Sequence, residues 1–145
     1  MPKDQYPKGR PVITHFFASQ EIRPGDTWKV YLNGVNLQGN MKYILYTIHQ
    51  PGVGTYPVGF IKIPEDQKRN LSGYIFLNTR GDQGMDFVNL DLTVQIQGED
   101  GLQSEPVSFP LTFHSRAQQE NPAWGIFAER DLGPIMISLS SYPGP

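Results

Sequence analysis

From Val88 to Phe113 the chain reads VNLDLTVQIQGEDGLQSEPVSFPLTF, and its first half alternates strictly. Val88, Leu90, Leu92, Val94 and Ile96 share one parity, while Asn89, Asp91, Thr93, Gln95 and Gln97 share the other. A period of two sustained this long predicts a strand with one face on a core and one in water. An acidic, glycine-bounded turn then leads to a second strand carrying Pro106 and Pro110. Residues of equal parity aim their N–H groups at the same neighbour, so both missing donors lie on one side. Val107, Phe109, Leu111 and Phe113 stay able to bond the preceding strand, and the proline side fits a free sheet edge.

The same alternation recurs upstream. Val12–Ser19 reads as a first strand, followed by a turn at Arg23-Pro24-Gly25-Asp26. Thr27–Val35 then places Trp28, Val30 and Leu32 opposite Lys29, Tyr31 and Asn33. Tyr56–Ile63 and Leu71–Thr79 supply two more strands around the charged loop 64–70. Met41–His49 differs, being apolar on both faces, with Met41, Tyr43 and Leu45 on one and Ile44, Tyr46 and Ile48 on the other. Such a strand is central or has its outer face covered. We take Ile44, Tyr46 and Ile48 as its outward, partner-facing set. About seven strands spaced by turn signals predict an immunoglobulin-like antiparallel β-sandwich, all-β in class, with a C-terminal extension.

Composition agrees with many short strands. There are 13 prolines and 15 glycines among 145 residues, with 12% aromatic side chains. The absence of cysteine rules out disulfides, thiolate metal sites and cysteine nucleophiles. A net charge of −2 with scattered Lys and Arg offers no basic stripe, so no nucleic-acid partner is expected. No apolar run is long enough for a membrane span, and the N-terminus lacks the apolar segment of a secretory leader. The compartment stays open: cytoplasm by default, periplasm or exterior if a leader was trimmed.

The chain divides into a polar arm over 1–11, a sandwich over 12–113, and a linker with extension over 114–145. The extension carries two apolar patches, Trp124–Phe127 and Pro134–Leu139. Either it packs back on its own sandwich as an extra strand or cap, or it docks on a partner by strand addition. Because Pro106 and Pro110 withhold donors, we expect it to lie over a sheet face or to pair elsewhere.

Two turns carry a resemblance. Pro24-Gly25-Asp26 opens the GDTWKVYLNGVN strand, and Glu99-Asp100-Gly101-Leu102-Gln103-Ser104 closes the penultimate one. Together they resemble immunoglobulin-like bacterial modules of the PKD, cadherin-like and fibronectin type III kind, over roughly residues 12–113. The resemblance implies a binding or spacer role. The chain departs from it in lacking clustered acidic calcium motifs and an inter-sheet disulfide.

Candidate chemistry is sparse. The 50–57 segment QPGVGTYP begins like a dinucleotide fingerprint but has Pro57 at the third glycine position and no helix after it. His15, His49 and His114 each stand alone, without a metal-ligand spacing. Asp82, Asp86, Glu99 and Asp100 fall in turns, where aspartates cap backbone N–H groups; a loose calcium site is the other reading. No catalytic residue, cofactor or metal site is assigned. The aromatic surplus raises the possibility of an exposed platform built from Tyr31, Tyr46, Tyr56, Tyr74 and Trp124. The expected function is a non-enzymatic interaction or scaffold module with a protein partner or a second copy. Its contact residues would be Trp124, Ile126, Phe127, Ile135, Met136 and Ile137, with the Ile44, Tyr46 and Ile48 face. A carbohydrate-binding module is the alternative.

Overall fold

A computed structural model describes residues 9–81 and 86–137 of the chain. In chain order its strands are β1 Val12–Ala18, β2 Glu21–Ile22, β3 Thr27–Val35, β4 Met41–Gln50 and β5 Gly54–Thr55. They continue as β6 Gly59–Lys62, β7 Asn70–Asn78, β8 Asn89–Gly98, β9 Val107–Phe113 and β10 Asp131–Pro134. One sheet runs β1-β3-β7-β10; the other runs β2-β9-β8-β4-β5, with β6 also paired to β4. The protein is therefore an all-β sandwich of about ten strands, where seven were expected. The sheets are mixed and not purely antiparallel, because β2 lies parallel to β9 and β10 parallel to β7.

The opening hairpin folds as its alternation predicts. Leu90, Leu92, Val94 and Ile96 are buried between the sheets, while the intervening polar residues face outward. Gly101, at φ +86°, turns the chain, and Asp100 accepts the Leu102 N–H at 3.1 Å. Parity along β9 also holds. Phe113 donates to Val88, on the β8 side, while Thr112 and His114 donate to Gln20 and Ile22 on the proline side. That edge is not wholly free, since β2 occupies it beyond Pro110.

The outward face assigned to β4 is corrected. Ile44, Tyr46 and Ile48 are 0, 4 and 0% exposed and face the other sheet. They pair in register with Ile96, Val94 and Leu92 of β8, and directly paired residues share a face. Tyr43, Leu45 and Thr47 take the outer side. A register shift between Met41 and Tyr43 puts Met41 into the buried set as well. An extra residue at a bulge reverses parity, which a period of two cannot anticipate.

The extension packs on its own sandwich as cap and strand at once. Gln119 accepts the Lys29 N–H at 2.9 Å and donates to the Thr27 carbonyl at 2.7 Å, bonding β3 beyond the point where β1 ends. Further along, Asn33 donates to the Ile126 carbonyl and the Ala128 N–H bonds Ser72 Oγ, both at 2.8 Å. The segment then becomes β10 on the edge of β7, where Tyr74 donates to Arg130 and Ile135 to Phe76. A Cβ on Gly73 would lie 2.5 Å from the Arg130 carbonyl oxygen, so glycine there lets β10 approach. Arg130 also forks onto both Asp66 oxygens at 2.7 and 3.0 Å, which holds the Asp66 carboxyl below its usual pKa through hydrogen bonding.

Candidate functional site

The nine expected contact residues do not form one surface. Ile44, Tyr46, Ile48 and Ile135 belong to the buried core, and Ile137 is half-buried against it. Phe127 packs its ring 5.5 Å from Tyr31, which in turn lies 5.5 Å from Tyr74. Only Trp124, Ile126 and Met136 are exposed. The extension cannot dock as a whole, because Leu132 and Ile135 fill its own sandwich.

The five-residue aromatic platform does not form either. Tyr31 is buried under the extension, its hydroxyl donating to Glu129 at 2.9 and 3.1 Å. Burial, reinforced by that carboxylate, pushes the Tyr31 phenol up to about 12, so it remains a donor at ordinary pH. Tyr46 is in the core, and Tyr56 donates to Gln50 at 2.9 Å. Tyr31 and Tyr74 pair across adjacent strands on a covered sheet.

What converges is an apolar edge where the end of the extension meets β6. Tyr46, Tyr56, Pro57, Val58, Gly59, Met136 and Ile137 line a groove of about 330 Å³. The Tyr46 ring lies against Gly59 with no room for a Cβ, and its hydroxyl accepts the Met136 N–H at 3.1 Å. Tyr46 thus ties the two segments together from inside. Around this tie, Met136 is 77% exposed, Val58 62% and Phe60 64%. Phe60 leans edge-on against Tyr43 at 5.0 Å, continuing the patch onto the outer face of β4.

The backbone of β6 is also presented. Among the described strands its only neighbour is β4. Ile61 pairs with Ile44, and Ile63 donates to Lys42, so Phe60 and Lys62 aim their N–H and C=O groups away from β4. Val58 and Phe60 were missed as contact residues, although parity marks them. Ile61 and Ile63 take the inward positions, which leaves Phe60 on the outward side with Lys62.

Glu99 and Asp100 serve local structure. Glu99 pairs with Lys68 at 2.5 Å, and the resulting hydrogen bond lowers the Glu99 pKa. Asp100 caps its turn as described above, and Asp82 lies outside the described residues. His15, His49 and His114 each engage a neighbouring group within a few residues. Among the described residues no three His, Asp or Glu side chains gather as a metal site, and no helix is long and apolar enough to cross a membrane. No protein-family model matches the chain, and no curated protein is significantly similar to it.

Proposed function

We propose that this chain is a non-enzymatic, immunoglobulin-like docking module that adds an extended segment of a protein partner to the β6 edge that faces away from β4. The strand arrangement supports the immunoglobulin-like reading. The order β1-β3-β7 corresponds to strands A, B and E of that fold, and β4-β8-β9 to C, F and G, with β10 beside E in the place of D. The observation that carries the docking reading is the coincidence of a strand edge left unpaired among the described residues with three large exposed apolar side chains, Val58, Phe60 and Met136. In strand addition the main chain supplies affinity and flanking side chains supply selection. Lys62, exposed on the same strand, discourages indiscriminate edge pairing and selects a segment bearing a carboxylate opposite it.

The double variant Val58→Asp with Phe60→Glu tests this reading. Both side chains are mostly solvent-exposed, so the unfolding midpoint should stay nearly unchanged. Affinity for a protein partner captured by the wild type should fall at least about tenfold. Equal retention of that partner by wild type and variant sinks the β6 edge as the docking site.

A further inference from the structure

The two tryptophans occupy opposite environments. Trp28 is fully buried, whereas Trp124 is 99% exposed. The exposure of Trp124 is built in. Asn33 holds the Ile126 carbonyl, Phe127 packs on Tyr31, and Ser72 holds the Ala128 N–H, so the turn is pinned just beyond the indole. Gly125, at φ +87°, supplies the left-handed conformation that reverses the chain immediately after Trp124.

Between this turn and β3 lies a groove of about 560 Å³, within the range of small-ligand sites. Phe127 contributes its aromatic surface above the buried Tyr31 floor, and Lys29, Glu129 and Asn121 its polar groups. Lys29 Nζ stands 3.8 Å from Glu129 and 4.5 Å from the centre of the Tyr74 ring. The Tyr31 hydroxyl orients the Glu129 carboxylate, which retains further lone pairs, while the ammonium retains further donors.

We infer that this groove is a binding site for a neutral oligosaccharide, with one sugar ring stacked on Trp124 and its hydroxyls bonded to Glu129, Lys29 and Asn121. The charge pattern selects this class. An anion would meet the Glu129 carboxylate and a cation would meet Lys29, but a sugar hydroxyl both accepts and donates. Adjacent hydroxyls therefore satisfy a neighbouring ammonium and carboxylate together. The indole gives the C–H face of a pyranose a flat apolar surface, and the pinned turn backbone lowers the cost of ordering the site on binding. The site lies over the β3 sheet and is independent of the β6 edge.

Because Trp28 is sealed in the core, Trp124 emission reports directly on this groove. Titration with neutral hexaoses of β-1,4-glucose, β-1,3-glucose, xylose, mannose and N-acetylglucosamine should give a saturable blue shift with at least one of them. Trp124→Ala should abolish binding measured by calorimetry, Trp124→Tyr should retain it in weakened form, and Glu129→Gln should weaken it at least about tenfold. The inference is overturned if no member of the panel binds at millimolar concentration, or if Trp124→Ala binds as well as the wild type. It is also overturned if Trp124→Ala instead loses the protein partner, since the indole would then be a protein anchor. Protein binding at the β6 edge should survive Trp124→Ala, so the two sites fail separately.

Discussion

Ending the chain after His114 is expected to lower the unfolding free energy by roughly 3–6 kcal/mol. The magnitude follows from Leu132 and Ile135, each nearly fully buried against the core. Their loss also leaves the edge of β7 without its parallel partner and uncovers Tyr31, which is 3% exposed only because Phe127 and Glu129 lie over it. The released segment regains conformational entropy, which keeps the net cost near the worth of two aliphatic side chains and below the sum of its contacts. Against a typical domain stability of about 5–15 kcal/mol, this is a large fraction. Urea unfolding and hydrophobic-dye binding should report a much lower midpoint and new apolar surface. An unchanged midpoint would mean that the extension is an appendage after all.

Replacing Trp28 by Ala should cost about 3–5 kcal/mol, the range for emptying a core aromatic site. Trp28 lies opposite Leu77 of β7 and has no exposed surface. Its indole N–H donates to the Ser19 carbonyl at 2.8 Å, at the point where the chain leaves β1 for the other sheet. Ser19 further bonds the Glu21 carbonyl and the Glu120 N–H through its hydroxyl. One side chain therefore fixes the strand crossover and, through Ser19, the start of the extension. Trp28→Phe should fall between wild type and Ala in chemical denaturation, because it keeps much of the packing and leaves the Ser19 carbonyl without this donor. A cost for Trp28→Ala below about 1 kcal/mol would contradict this assignment.

The sandwich was legible wherever one face of a strand was polar. In β8 the alternation of Leu90, Leu92, Val94 and Ile96 marks the inner face without ambiguity, and the β9 prolines mark the outer side of that strand. It was not legible in β4, where both faces are apolar and a bulge beside Lys42 reverses the parity of Met41. Strands of two to four residues, such as β2, β5 and β10, are too short to carry a period and exist because neighbouring edges receive them. The apolar patches of the extension were visible, but not their orientation. Nothing in Trp124-Gly125-Ile126-Phe127 says that Phe127 meets Tyr31 while Trp124 meets water, since that is decided by bonds to Asn33 and Ser72 far away in sequence. The Ser138-onward end of the second patch, including Leu139, lies outside the described residues. The apolar edge was only half legible: Met136 was named, whereas Val58 and Phe60 required reading the wrong-parity apolar residues of β6 as deliberate.

The claim that a partner's main chain pairs with β6 has a direct test in Lys62→Pro compared with Lys62→Ala. Both remove the side-chain charge, but only proline removes the outward N–H, while Ile61 and Ile63 keep their bonds to β4. If the partner adds a strand here, its affinity for Lys62→Pro should be at least about tenfold weaker than for Lys62→Ala. Equal affinities for the two variants, with equal unfolding midpoints, would contradict strand addition at this edge.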